Sequence, residues 1–288
     1  MVPWRRPLTI VVRLSVAAVL TLLVLEGGVR LVAPVDRFEY IPNTFDPVCQ
    51  IRQLPLARGF IHCQEYRIEL CTNSGGLRED REVPYAKPAA QRRILCLGDS
   101  FTVGFGVAGD ETFAAFLDAS LAPAVEAINA GVAGTGTAHQ LAWFTLEGWR
   151  YAPDVVLLTP VVNDFTDNTK SGLFTFAPDG SLVQHPAVQS RALRLLRLLR
   201  RVPGYTTVFS RSHLLNAFKQ AFAVRHHGRL EAAAAGGAPA PEVVRHEDAL
   251  AQALLRELRD ACEARGAALV VMPVPARPGS AEEPRMDA

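Results

Sequence analysis

Short apolar runs recur along most of the chain, separated by longer stretches of mixed polarity. Four of these runs, at 94–97, 125–129, 154–159 and 267–272, predict buried strands, because each is short, apolar on both faces and bounded by turn residues. Strands that are apolar on both faces are typical of a parallel sheet covered by helices.

Helices are predicted between these strands. One covers 111–121 with Asp110 as its cap, one follows the turn 131–136, and one covers 246–266 with Gly266 as its terminator. The residues that define their apolar faces are Phe113, Phe116, Leu117 and Leu121, then Leu141, Trp143, Phe144 and Leu146, then Leu250, Leu254, Leu258 and Ala261. Alternating strands and helices predict a three-layer α/β/α fold around a parallel sheet.

The N-terminus has a different pattern. Two arginines, Arg5 and Arg6, precede the apolar stretch 7–32, which is longer than the roughly 20 residues that cross a bilayer. The charged residues that interrupt it are Arg13, Glu26 and Arg30. We predict a single-pass anchor over residues 1–33, its basic end in the cytoplasm and the rest on the extracytoplasmic, periplasmic side. A cleaved signal peptide and a buried core helix are the alternatives.

Between these regions lie two less regular segments. Residues 34–90 predict a strand-containing lead-in, and residues 91–288 the main domain, which carries an insertion at about 171–245. Within the insertion, the run 191–204 alternates arginines with leucines. This run predicts either a basic amphipathic helix on an anionic membrane or over the active site, or an ordinary surface helix. Residues 230–241 are low in complexity and predict a flexible link.

Composition excludes some functions and leaves others open. The chain has 288 residues, 49% of them hydrophobic, and a net charge of +1, which indicates a folded protein without the field that attracts nucleic acid. Three of its five cysteines, Cys49, Cys63 and Cys71, follow the predicted anchor in an oxidising compartment, where one pair among them can form a disulfide. Cys96 and Cys262 are predicted core thiols. No cysteine or histidine spacing indicates a metal site.

Polar residues follow three of the predicted strands, where a parallel sheet binds its ligands. Gly98-Asp99-Ser100 ends the first strand in a turn that can point the Ser100 hydroxyl into a cleft. Gly134 follows the second strand, and Asn163-Asp164 follows the third. The backbone N–H groups of Ser100 and Gly134 and the side-chain amide of Asn163 together predict an oxyanion hole.

In these blocks the sequence resembles the SGNH (GDSL-type) hydrolase family, over about residues 92–272. LCLGDSFTVG matches the family's nucleophile block, NAGVAG its glycine block, and Val161-Val162-Asn163-Asp164 its Gly-x-Asn-Asp block with valine in place of glycine. TNSGGLRED, ahead of the first strand, looks like anchored bacterial members. The resemblance implies a flavodoxin-like fold and ester hydrolysis through an acyl-serine on Ser100. It also implies Gly134 and Asn163 as oxyanion donors, Asp99 and Asp164 as supporting residues, and no cofactor.

The family's Asp-x-x-His block, which supplies the general base, has no match after the last predicted strand. The fold is therefore expected to be C-terminally incomplete and the base stays unassigned. His139 is expected to face solvent, His213 to pack or cap a helix, and His226, His227 and His246 to lie at the surface, while His62 and His185 are the other two histidines considered. Two hypotheses follow: an ester hydrolase, or a truncated or inactive form that binds an acylated glycan or lipid without turnover. Expected partners are an ester-bearing small molecule, a lipid or an acylated glycan, and the membrane.

Overall fold

The computed structural model describes residues 5–35, 37–38, 43–62, 66–189, 194, 198–199, 202–205, 208, 211–221 and 241–275. Helices with defined bounds are α1 (Arg5–Val32), α2 (Ser100–Val103), α3 (Phe113–Leu121), α4 (Thr137–Leu146), α5 (Asn163–Ser171) and α6 (Pro241–Glu263). The strands are β1 (Arg37–Phe38), β2 (Asn43–Asp46), β3 (Gln50–Gln53), β4 (Arg58–His62), β5 (Arg67–Cys71), β6 (Arg92–Gly98), β7 (Val125–Asn129), β8 (Val155–Thr159), β9 (Phe174–Phe176), β10 (Leu182–Gln184) and β11 (Ala268–Val271).

The chain divides into two compact units. The first comprises Met1–Glu39, Ile61–Arg67 and Arg197–Gly236, and the second comprises Tyr40–Phe60, Ile68–Leu196 and Gly237–Ala288.

A four-stranded parallel sheet forms the centre of the second unit. Its order is β11-β8-β6-β7, with β6 paired to both β7 and β8. These are the four strands that the apolar runs predict, within two residues at each end. β6 therefore lies between two neighbours, and its carboxyl end opens at the middle of the sheet edge.

Alternate residues of the sheet enter two separate cores. Leu95, Leu97 and Leu158 pack with residues of α4 and α6 on one face. Cys96 and Leu157 pack with Ala114 of α3 on the other face. Two cores on opposite faces of one parallel sheet confirm the three-layer α/β/α fold.

Helix α3 differs from its prediction at both its start and its apolar face. Residues 109–111 form a 3₁₀ turn, and Thr112 rather than Asp110 is the cap, its hydroxyl accepting a hydrogen bond from Ala115 N at 3.2 Å. Phe116 is 71% exposed, although the pattern places it on the apolar face. The buried residue of this short helix is Ala114, because a small side chain lets the helix approach the sheet closely.

Two antiparallel hairpins accompany the sheet in the second unit. β2 pairs with β3, and β9 pairs with β10 within the predicted insertion. Most of the basic run 191–204 and all of the link 230–240 lie outside the described residues, so the two interpretations of the basic run stay open.

The predicted disulfide does not form between the described cysteines of the lead-in. Cys49 and Cys71 are both free, and Cys63 lies outside the described residues. Cys49 is fully buried with its thiol 3.7 Å from the Ile51 carbonyl oxygen, and burial raises the pKa of this thiol to about 12. Cys96 and Cys262 are free and buried, as predicted.

The first unit contains the apolar helix α1. Residues Thr9–Val32 have a mean hydropathy of 2.1 and the length and composition of a membrane span. Near the end of this stretch, the Glu26 carboxylate accepts hydrogen bonds from the backbone of His213 and Leu214, both at 2.9 Å. β1 follows and pairs antiparallel with the end of β4. One apolar helix of this kind is typical of a membrane anchor or of a signal sequence.

Candidate active site

The turn between β6 and α2 carries Asp99 and Ser100. Asp99 is 2% exposed and caps α2, its carboxylate accepting a hydrogen bond from the Phe101 N–H at 2.8 Å. Ser100 is half-buried, and its hydroxyl donates to Asp99 Oδ2 at 3.3 Å. The strand thus ends with the half-buried Ser100 side chain at the edge of the sheet.

Asn163 approaches the same turn from the neighbouring strand. It is the first residue of α5, which follows β8, and its exposed side-chain amide donates to Asp167 Oδ2 at 3.0 Å. The Asn163 side chain also lies close enough to Asp99 to lower the pKa of its carboxyl, although burial outweighs this effect. Ser100 and Asn163, which are 63 positions apart in the sequence, therefore lie near the same carboxylate.

Gly134 lies in the loop after β7, which runs against the end of β6. Val132 N donates to the Gly98 carbonyl oxygen at 3.0 Å, and the Thr135 hydroxyl lies 3.5 Å from the same oxygen. Gly134 itself has a φ of +80°, and a Cβ built there meets no heavy atom within 4 Å. Within the described residues, no backbone carbonyl accepts a hydrogen bond from the Gly134 N–H. This N–H is available to a ligand.

Asp164 joins the loop of Gly134 to helix α5. Its Oδ2 accepts a hydrogen bond from the Thr137 hydroxyl at 3.4 Å, while its Oδ1 has no partner among the described residues. Burial, with the nearby charges of Asp99 and Asp167, raises the pKa of the Asp164 carboxyl well above its usual range. Burial also raises the pKa of Asp99. Asp164 is 2% exposed, so its side chain is closed to solvent.

Two residues that the sequence did not identify as important hold α2 in place. The buried Asn129 side chain donates to the Thr102 carbonyl oxygen at 2.9 Å and accepts from Gly131 N at 3.1 Å. Arg78 donates from Nη1 to the Val103 and Gly104 carbonyl oxygens, and from Nη2 to that of Val107 at 2.7 Å. These contacts satisfy carbonyls at the end of α2, and the sequence signals for them are the positions of Asn129 in NAGVAG and of Arg78 in TNSGGLRED.

Gly131 allows the loop after β7 to pack directly on the backbone of α2. A Cβ at position 131 would overlap Val103 N and lie 2.7 Å from the Thr102 carbonyl carbon. Gly131→Ala is therefore expected to destabilise the protein by about 3 kcal/mol, as overpacking against rigid backbone does. Gly134→Ala is the matched control, since it meets only the cost of a positive φ, about 1 kcal/mol. Urea denaturation measures both, and equal losses would contradict the close approach.

The histidines of the described residues do not contact Ser100, whose hydroxyl is hydrogen-bonded to Asp99. His139 is 4% exposed, which corrects the prediction that it faces solvent. Its Nδ1 accepts from Gly136 N at 3.1 Å, and its Nε2 pairs with Gln50 Oε1 at 2.8 Å. His213 is buried and accepts at Nδ1 from Val35 N, as predicted for a packed residue. His246 is exposed, as predicted, and His185 is exposed as well.

His139 makes stability depend on pH. Burial lowers its pKa from 6.5 to about 4, so the neutral ring is favoured in the folded state. The stability that this ring contributes is fully present above pH 6.5 and is lost as the pH falls toward 4, by on the order of 3 kcal/mol. We expect the difference in unfolding free energy between the protein and His139→Asn to shrink over that range. A difference that stays constant from pH 7 to pH 4 would contradict a buried neutral ring.

No group of three histidine, cysteine or carboxylate side chains in the described part of the chain is arranged to hold a metal ion. The groups that the structure places at the end of β6 and in the adjacent loops include a serine hydroxyl, an asparagine amide and backbone N–H groups.

The comparisons with known proteins agree with the resemblance read from the sequence. A profile of the GDSL-like lipase/acylhydrolase family matches residues 96–288. The match covers more than half of the chain, and the protein belongs to this family of SGNH hydrolases.

The match to individual proteins is more distant. No curated protein sequence matches the chain. Among solved structures, AlinE4, an SGNH-hydrolase family esterase, is 19% identical over 64% of this chain and 77% of its own, with a TM-score of 0.28. TesA is 15% identical over 59% of this chain and 99% of its own, with a TM-score of 0.25.

Proposed function

We propose that the chain is a serine ester hydrolase that acts through an acyl-serine on Ser100. The observation that carries this proposal is the position of Ser100, which is hydrogen-bonded to Asp99 at the end of a central strand with Asn163 nearby, in a chain of this family. The Ser100 oxygen attacks the ester carbonyl carbon and the alcohol leaves. Water then attacks the acyl-serine, which releases the carboxylic acid and restores the hydroxyl.

Three donors stabilise the negative charge that develops on the carbonyl oxygen. They are the backbone N–H groups of Ser100 and Gly134 and the side-chain amide of Asn163, and removing one such donor typically costs about 3 kcal/mol of transition-state stabilisation. Two features support this assignment: the Gly134 N–H donates to no backbone carbonyl of the described residues, and the Asn163 side chain is exposed. In the reaction, the Asn163 amide stops donating its hydrogen bond to a carboxylate of the protein and donates it to the substrate oxyanion instead. Asp99 and Asp164 support the site by holding α2 and the start of α4.

The general base is not assigned. Among the described residues, the Ser100 hydroxyl is hydrogen-bonded to Asp99 and to no histidine. This contact supports a second candidate function, the binding of an acylated ligand in the same pocket without turnover. Both candidates use Ser100, Gly134 and Asn163, and they differ in whether the Ser100 hydroxyl becomes nucleophilic.

The family implies ester substrates, and the proposed location of the domain indicates which esters it can reach. We propose that α1 is a retained membrane anchor with Arg5 and Arg6 on the cytoplasmic side and the hydrolase domain on the extracytoplasmic side, in the periplasm. An anchored site there meets acylated surface glycans and lipids as well as small esters. No nucleic acid is among the proposed partners, since the net charge is +1.

A fluorophosphonate probe tests whether Ser100 is a nucleophile. The serine oxygen displaces fluoride from phosphorus, and mass spectrometry locates the adduct. We expect an adduct on Ser100 in the folded protein, formed about 10²-fold more slowly in Asn163→Ala, because the phosphoryl oxygen uses the same donors. Ser181→Ala is the matched control: Ser181 is exposed, lies in the β9–β10 turn and should not affect labelling.

Two other outcomes would contradict the proposal that Ser100 is a nucleophile. If the folded chain stays unlabelled at Ser100 while it binds a non-hydrolysable acyl analogue, binding without turnover is the function. An adduct on another serine would remove Ser100 from the proposal.

A further inference from the structure

The Glu26 carboxylate is an acidic group inside an apolar stretch, and it is heavily hydrogen-bonded. It accepts from the Ser212 hydroxyl at 2.7 Å and from the backbone N–H groups of His213 and Leu214, both at 2.9 Å. Arg30, one turn along α1, forms an ion pair with Glu26 at 3.0 Å. A carboxylate that accepts successive backbone N–H groups is the arrangement found where a helix begins, and here helical residues 213–221 begin.

The chain that leaves α1 makes a second contact with the same segment. Val35 N donates to His213 Nδ1 at 3.1 Å, and Arg30 donates to the Arg211 carbonyl oxygen at 3.3 Å. Contacts at Glu26, Arg30 and Val35 therefore hold residues 211–214 along the last part of α1. All of these residues belong to the first compact unit.

The position of these contacts along α1 gives their depth in a bilayer. The apolar stretch Thr9–Val32 has 24 residues, about 36 Å at 1.5 Å per residue, which exceeds a hydrocarbon core of about 30 Å. Glu26 lies six residues before Val32, about 9 Å from that end. With the opposite end of α1 at the other face of the bilayer, Glu26 lies close to the boundary between hydrocarbon and headgroups.

The segment that begins at this boundary has the surface of an interfacial helix. His213 and Asn216 are buried, whereas Phe218 is 73% exposed. Arg211 and Lys219 are also exposed. An outward aromatic ring flanked by cationic side chains is typical of helices that lie in the headgroup region, where the ring enters the acyl boundary and the cations meet phosphates.

We propose that the segment 211–221, helical from His213 onward, lies on the phospholipid surface beside the anchor as an interfacial helix, with Phe218 in contact with lipid. Glu26 caps this helix and so sets its height at the membrane boundary. The proposal rests on the proposed role of α1 as a retained anchor. It gives the chain a second lipid contact, from a segment that is 179 residues after the end of α1 in the sequence.

A photo-crosslinker identifies what Phe218 touches. The full chain is reconstituted in vesicles of phosphatidylethanolamine and phosphatidylglycerol, with p-benzoylphenylalanine replacing Phe218, Val19 or Phe116, one position at a time. Val19 is 55% exposed in the middle of α1 and reports on the anchor itself. Phe116 is the matched control, since it is 71% exposed and lies on α3 in the second unit.

Each outcome has one meaning. Lipid adducts at positions 19 and 218, several-fold above those at 116, are expected. Adducts at 19 but not at 218 overturn the interfacial helix and leave the anchor standing, whereas no adduct at 19 overturns the anchor and this inference with it. A protein–protein adduct at 218 identifies a second copy of the chain as the partner and overturns the lipid contact.

Changes at Glu26 test the cap. Glu26→Ala is expected to speed hydrogen exchange at the His213 and Leu214 amides and to reduce lipid adducts at 218, but not at 19, several-fold. Glu26→Gln retains an acceptor oxygen and is expected to show smaller changes of the same kind. Unchanged exchange at both amides in both variants would overturn the role of Glu26.

Discussion

Ser100→Ala is expected to lower kcat/KM for p-nitrophenyl butyrate by about 10³-fold or more, because loss of the nucleophile removes the acyl-enzyme route. The Ser100 side chain is half-buried and its one described hydrogen bond is to Asp99, so the variant leaves no buried donor without a partner. We therefore expect normal folding. Initial rates with the detergent-solubilised chain, together with a thermal unfolding curve, separate lost catalysis from lost structure.

The control for this prediction is Ser181→Ala, which removes an exposed hydroxyl remote in sequence from the proposed site. It should retain full activity. Equal rates for Ser100→Ala and the unmodified chain would show that the measured hydrolysis does not pass through Ser100.

Arg93→Ala is expected to reduce the free energy of unfolding by about 4 kcal/mol, which is typical when one partner of a buried ion pair is removed. Arg93 is fully buried, and its Nε donates to Glu126 Oε2 at 2.6 Å. Its Nη1 also donates to the carbonyl oxygens of Pro84, Tyr85 and Tyr151. The variant would leave a cavity, three carbonyls without this donor, and Glu126 with Arg81 alone.

The electrostatics at Glu126 agree with this expectation. Burial alone would raise the pKa of its carboxyl, but hydrogen bonds from Arg81 and Arg93 lower it, so the folded state holds the charged form. Arg92→Ala is the matched control, because Arg92 precedes Arg93 on β6 but is exposed, and we expect a change within about 0.5 kcal/mol. Similar losses in both variants, measured by urea denaturation, would contradict the buried network.

Most of the fold was predictable because strand and helix periods are local properties. The run 125–129 matches β7 residue for residue, and the order of strands and helices predicted the parallel sheet. Ends of elements were less predictable: Asp110 and Thr112 are both good caps by residue type, and which one caps α3 depends on where the preceding 3₁₀ turn places the chain.

Burial was the property that the sequence predicted least well. His139 was expected at the surface because it lies in the first turn of α4, yet that turn is buried. Phe116 shows the opposite error. A helical sequence pattern indicates which residues share a face of the helix. It does not indicate how many of those faces other parts of the chain bury, and α4 is buried on nearly all sides.

The sequence alone determined the elements, the family resemblance and the candidate roles of Ser100, Gly134 and Asn163, because short motifs at strand ends carry them. Only the tertiary structure decided which distant groups meet. Asp99 accepts from Ser100 and lies near Asn163, and Arg78 and Arg93 are buried against carbonyls from other segments. The physical reason is that a buried polar group is stable only beside a specific partner, and no local pattern records a partner that lies tens of residues away.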